Sequence, residues 1–147
     1  MSDRTLMSAL MVGHQELSRL LEARLEGTGL TALEAVVLRT AFWNRNPTVG
    51  AIRAALALPA STSTQVVDRL CAKDLARREA ARDDRRLAIV RLTSLGKQVA
   101  GIVVETARAI DDEVRSTAGT DASDVTRVAD AIELLAWRER RMRLRHW

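Results

Sequence analysis

Residues Pro59 to Gly96 read PASTSTQVVDRLCAKDLARREAARDDRRLAIVRLTSLG, and this stretch decides the fold. It opens with hydroxyl residues and continues as an amphipathic helix over about 60–73. Val66, Val67 and Leu70 recur at helical spacing, which leaves Gln65, Arg69 and Lys73 for the other face. Two short runs follow, Leu75–Ala80 and Leu87–Leu92, where the period changes toward alternation. Ala88, Val90 and Leu92 share one face, and Leu87, Ile89 and Arg91 the other. Between the runs, Ala81-Arg82-Asp83-Asp84-Arg85-Arg86 makes a charged hairpin tip, and Thr93 begins another helix. A helix followed by a basic two-stranded tongue suits duplex DNA: the helix enters a major groove and the tongue lies beside it.

Working outward toward the N-terminus, a third, short helix is expected over about Thr48–Ala55, with Val49, Ile52 and Leu56 inward. A helix over about 32–43 precedes it. Thr31 and Glu34 form its capping box, and Asn44-Arg45-Asn46-Pro47 ends it. Short helices joined by tight turns make a helix-turn-helix candidate. Residues 4–27 form a long helix striped with Leu6, Leu10, Leu17, Leu21 and Leu25, and Gly27 and Gly29 break it. Toward the C-terminus, long helices are expected over about 94–117 and 122–143, with Val99, Ile102, Val103, Ile110 and Val114 on the first and Val125, Val128, Ile132 and Leu135 on the second.

The fold class that follows is mainly α with a small β wing: a winged helix-turn-helix over 30–96, flanked by long N- and C-terminal helices at 1–28 and 97–147. These flanking stripes exceed what one small winged lobe needs. They pack either within one chain or, as the simplest way to bury the surplus, against a second copy, giving a two-fold dimer whose paired recognition helices match a pseudo-palindromic operator.

The chain has 147 residues, enough for one domain with a substantial core. Its 23 Lys+Arg against 19 Asp+Glu give a net charge of only +4, so the distribution carries the argument. Between Ser61 and Thr93 the bases Arg69, Lys73, Arg77, Arg78, Arg82, Arg85, Arg86 and Arg91 outnumber the acids Asp68, Asp74, Glu79, Asp83 and Asp84. The C-terminal WRERRMRLRHW adds a second Arg-rich run, placed either near DNA or against acids across the dimer. Aromatics are 3% of the chain, too few for a single-strand binder built on stacking platforms. One cysteine cannot form an internal disulfide, the N-terminus is broken by charge, and no run approaches the length of a membrane span. A cytoplasmic location is expected. No nucleophile–base set, metal-ligand cluster or phosphate loop is evident, so neither an enzyme nor a bound cofactor or metal is expected.

The central residues resemble the MarR family of bacterial transcription regulators. The family's recognition helix runs S-T-x-T-x-x-V-D-R-L, matched by Ser61-Thr62-Ser63-Thr64-Gln65-Val66-Val67-Asp68-Arg69-Leu70. Its wing carries D-x-R and a strand ending in L-T-x-x-G, matched by Asp84-Arg85-Arg86 and Leu92-Thr93-Ser94-Leu95-Gly96. The order of the other helices also fits, so the likeness covers nearly the whole chain. Two departures stand out. Asp74 occupies the position where the family has Gly in a left-handed turn. Pro59-Ala60 replaces the usual Ser-Pro opening of the recognition helix, which leaves Ser61 to cap a helix starting slightly later.

The resemblance implies a homodimeric, sequence-specific double-stranded DNA-binding regulator, a repressor released by a small ligand. Ser61, Thr62, Ser63 and Thr64 sit at a helix N-terminus suited to phosphates and base edges, with one of them serving as a plain cap. Gln65 can pair with adenine, and Arg69 can reach a phosphate or guanine or else pair with Asp68 or the wing. Arg82 and Arg85 are wing-tip contacts for the flanking minor groove. The resemblance gives Asp84 a structural role, pairing with an Arg to order the wing, and leaves Arg86 shared between that role and DNA. Small anionic or aromatic effectors bind family members where the first helix meets the DNA-binding lobe, which makes His14, Arg39 and Trp43 ligand candidates. Cys71 reads as a buried structural residue, Trp137 as part of the dimer core, and His14 and His146 as too isolated for a metal site. The alternative is a winged-helix protein-interaction module that has lost DNA reading.

Overall fold

The computed structural model describes residues 5–119 and 122–143. The side chains of Trp137 and of the Arg-rich run after it, with His146, lie outside the described residues. Six α-helices and one two-stranded sheet are present among the described residues. The chain divides into two compact units, Met1–Arg108 and Ala109–Trp147.

In the first unit, α1 (Leu6–Arg24) opens on Thr5, whose side chain accepts the Ser8 amide. It stops earlier than the leucine stripe suggests. The Leu25 amide is shared between Leu21 O and Glu22 O, and a 3-10 turn over Glu26–Thr28 and Gly29 at φ 64° redirects the chain. Helix α2 (Ala32–Trp43) begins with the expected capping box. Thr31 Oγ1 accepts the Glu34 amide at 3.2 Å, and Glu34 Oε2 accepts the Thr31 amide at 3.0 Å. Arg45 and Asn46, both left-handed, turn the chain into α3 (Val49–Ala55), which Thr48 caps through the Ala51 amide.

Helix α4 (Ala60–Ala72) begins at Ala60, with Pro59 at the capping position and no side-chain cap. The expected late start at Ser61 is therefore corrected. Proline's fixed φ already sets the entry to the helix, so no hydroxyl is needed to define it. At the far end, Leu75 N donates to Leu70 O and Asp74 N to Cys71 O, with Asp74 at φ 54°. This is a Schellman stop in which Asp occupies the left-handed position.

Strands β1 (Ala76–Ala80) and β2 (Ala88–Leu92) pair antiparallel, from Ala76 opposite Leu92 to Ala80 opposite Ala88. Each is one residue shorter than the sequence pattern. The wing is also tied to the helices: Val90 N donates to Pro47 O at 2.8 Å, and Thr48 bridges to Ile89. Helix α5 (Ser94–Ala118) follows, with Gly96 N donating to Thr93 Oγ1 at 2.9 Å.

The core of this unit joins Leu25 and Leu30 to Val37 and Leu38 of α2, Ile52 of α3, Val66, Val67 and Leu70 of α4, Leu75, Val90 and Leu92 of the wing base, and Ala100 and Val103 of α5. Full burial of one such aliphatic side chain contributes roughly 1.5–3 kcal/mol, so the wing base and helices stand or fall together. On α1, by contrast, Leu6, Met7, Leu10, Met11, Val12 and Leu17 are exposed.

The second unit contains the end of α5 and helix α6 (Ala122–Arg143). Val114, Val128, Ile132, Leu134 and Leu135 are exposed there. No helix among the described residues is long and apolar enough to cross a membrane.

Candidate nucleic-acid interface

Helix α4 presents one face outward because its other face is filled. Val66, Val67 and Leu70 are completely buried, and Ser63 joins them at 1% exposure. Its hydroxyl donates to Ala60 O at 2.9 Å. Ser63 is thus withdrawn from the expected set of surface hydroxyls. It lies three and four residues before Val66 and Val67, and helical geometry turns it to the same side. Ser61, Thr64 and Gln65 are exposed and Thr62 is half-buried.

Arg69 lies one turn after Gln65, but it is engaged. Its Nε sits 3.1 Å from Glu34 Oε1, and Lys73 Nζ sits 2.6 Å from Glu34 Oε2. The ion pair open to Arg69 from sequence therefore forms with α2, not with Asp68 or the wing. Glu34 is 1% exposed. Burial raises its pKa, but the hydrogen bonds from Lys73 and the Thr31 amide and the charges of Lys73 and Arg69 outweigh it and hold the carboxyl below its ordinary value. Asp68 pairs instead with Arg78 of β1 at 3.0 Å, and Arg78 also donates to Thr64 O at 3.0 Å. Sequence reasoning missed Glu34, Lys73 and Arg78 as organisers of this helix. The capping box marked Glu34, but nothing local to it indicated its partners 35 and 39 residues later.

Cys71 is half-buried rather than buried. Burial pushes its thiol up, Arg78 pulls it down and Asp68 opposes Arg78.

At the wing tip, Arg82, Arg85 and Arg86 are exposed and form no ion pair among the described residues. Asp84 orders the tip in a way the resemblance did not imply. Its Oδ1 accepts the Arg86 amide at 2.9 Å and its carbonyl accepts the Leu87 amide at 3.0 Å, so it acts on backbone and not on a guanidinium. A short acidic side chain that bonds the amide two residues on fixes a tight turn locally. Farther down the hairpin, Arg91 Nε donates to Glu79 at 2.8 Å across the strands.

A cleft of about 640 Å³ lies between α1 and α2, lined by His14, Leu17, Leu21, Leu33, Val36, Leu56 and Leu58, with Glu22 and Thr31 among the polar groups. Of the three ligand candidates, only His14 lines it. Trp43 stands at the opposite end of α2, about 16 Å along the axis from Ala32, in edge contact with Phe42. Arg39 points to solvent. Among the described residues, no group of three or more His, Cys, Asp or Glu is placed to hold a metal ion.

No family model matches the sequence, and no curated protein matches it. Solved structures do match. A mutant MarR from E. coli complexed with operator DNA aligns at TM-score 0.73 and 21% identity, covering 88% of this chain and 92% of that one. BpsR of Bordetella bronchiseptica, solved to explain how 6-hydroxynicotinic acid regulates its DNA binding, aligns at TM-score 0.73 and 20% identity over 92% of this chain and 96% of that one. Reduced AbfR bound to DNA aligns at TM-score 0.69 and 23% identity over 90% and 88%. With its helix-turn-helix, two-stranded wing and long flanking helices, the chain is by fold a winged helix-turn-helix protein of the MarR type.

Proposed function

We propose that this protein is a homodimeric, sequence-specific double-stranded DNA-binding transcriptional regulator, a repressor that a small ligand releases, acting in the cytoplasm. The observation that carries this reading is the pairing of an outward hydroxyl-and-amide ridge on α4 with a wing tip of exposed arginines that form no ion pair among the described residues. Ser61, Thr62, Thr64 and Gln65 read the major groove, while Arg82, Arg85 and Arg86 follow the flanking minor groove. Residues 30–96 form the DNA-reading lobe, and 1–28 and 97–147 supply the dimer. The exposed leucines and methionines of α1 support that assignment, because so much apolar surface on a lone helix favours a partner. The effector is small and anionic or aromatic, and the largely apolar cleft beside His14 supports the aromatic character. Of the structural neighbours, BpsR is described as regulated by such a molecule.

The test is duplex binding by the purified protein across a range of salt concentrations. DNA from upstream of its own gene is compared with a scrambled duplex. Selective binding with a steep salt slope is expected. Weak binding, equal for both duplexes, would favour a winged-helix interaction module that has lost DNA reading.

A further inference from the structure

Helix α4 is gripped on both flanks by ion pairs of opposite polarity. On one flank, the Glu34 carboxylate of α2 accepts Arg69 Nε at 3.1 Å and Lys73 Nζ at 2.6 Å, and Lys73 Nζ also donates to Gly29 O at 2.6 Å. On the other flank, the Arg78 guanidinium of β1 pairs with Asp68 at 3.0 Å and donates to Thr64 O at 3.0 Å. At 3.6 residues per turn, Arg69 and Lys73 stand to one side of the line from Ser61 to Gln65, and Thr64 and Asp68 to the other. A roll of the helix in either direction stretches one of these clamps.

The buried charge on Glu34 is more than a cap requires. A glutamine completes a capping box equally well, so the charge itself answers to the two cations that face it. What the carboxylate adds is a hold on two cations of the reading helix that would otherwise swing toward phosphates. The geometry matters for selectivity. A 10° roll moves a side-chain tip about 1 Å at the roughly 5–6 Å outer radius of a helix, enough to spoil a base-edge hydrogen bond.

We infer that Glu34 and Arg78 are positioning residues for sequence selectivity: together they fix the roll of the recognition helix, and Glu34 keeps Arg69 and Lys73 as struts rather than phosphate ligands. This inference rests on the DNA-binding reading above.

The experiment uses the full chain with Glu34→Gln and Arg78→Met, a duplex selected by the wild-type protein from a random pool, and a scrambled duplex, over a salt series. Glu34→Gln is expected to bind the scrambled duplex more tightly, with a salt slope steeper by about one to two as freed cations reach phosphates. Its preference for the selected duplex falls about tenfold. Arg78→Met loses a similar preference with no steeper slope, and Arg78→Lys recovers part of it. Folded variants that keep the wild-type preference, or that lose affinity for both duplexes in equal proportion, overturn the inference. If Glu34→Gln does not fold, Lys73→Met serves, because it leaves the cap intact; an unchanged preference there overturns the inference too. A wild-type protein that selects no duplex sinks the DNA-binding reading and this inference with it, whereas wild-type selection retained by the variants sinks the inference alone.

Discussion

Gly96 and Leu75 meet so closely that any Cβ on Gly96 would overlap the Leu75 carbonyl oxygen. That carbonyl also accepts the Thr93 amide at 3.1 Å, and Thr93 Oγ1 donates to Asp74 O at 2.7 Å. The stop of α4, the base of the wing and the start of α5 therefore cross at one point. The obstacle is backbone and cannot swing aside. Gly96→Ala is expected to destabilise the fold by about 2–3 kcal/mol, read as a lower urea midpoint at unchanged slope.

The wing tip should separate binding from folding. Arg82 and Arg85 are exposed and make no ion pair among the described residues, so reversing them removes no internal interaction. Arg82→Glu with Arg85→Glu should abolish duplex binding while the thermal midpoint stays within about 1–2 °C of wild type. Unchanged DNA affinity in a mobility-shift titration would refute the tip assignment.

On α4 the polar side chains should divide by face. Gln65→Ala is expected to cost about 1–3 kcal/mol of operator affinity and to relax preference at one base position. Ser63→Ala should leave DNA affinity unaltered, because its hydroxyl turns inward to Ala60 O. Parallel isotherms on one duplex decide the matter.

Protonation of Glu34 should loosen the α2–α4 strut. Its folded pKa is depressed below the ordinary 4.5, so its contribution to stability is fully present above that value. The contribution is lost as pH falls through the folded pKa. Urea stability of wild type relative to Glu34→Gln, measured down a pH series, should therefore converge only in acid. A constant difference across the series would contradict the charge-based hold.

Cys71 is expected to be a slow thiol. Burial raises its pKa, so at neutral pH less of it is thiolate than for a free cysteine. Alkylation of the native protein should run several-fold slower than in denaturant, and Cys71→Ser should retain duplex binding.

Much of this architecture was legible in the residues themselves. The Thr31/Glu34 box, the hydroxyl-led helix and the charged tip between two alternating runs each carry a local signature, and each element formed near its expected span. Orientation and pairing were harder to read. Ser63 stands among hydroxyl neighbours in the sequence, although its spacing to Val66 and Val67 turns it inward. The partner of Arg69 was not readable at all: Glu34 lies in another helix, and only the packing of α2 against α4 brings them together. The ligand candidates are spread apart for a similar reason. His14, Arg39 and Trp43 suited the chemistry, yet the length of α2 separates Trp43 from the cleft that His14 lines.

The hydrogen bond from Val90 to Pro47 bears on how the proposed ligand release could work. It stitches the hairpin to the turn before α3, and Val90 and Leu92 at the hairpin's base share the helices' core, so amides at that base are expected to exchange together with those of the helices. A signal that disarmed the protein by unzipping the wing would have to spend the stability of the whole lobe. Moving wing and helices as one piece leaves these bonds intact, and the proposed ligand release would have to work by motion of that kind.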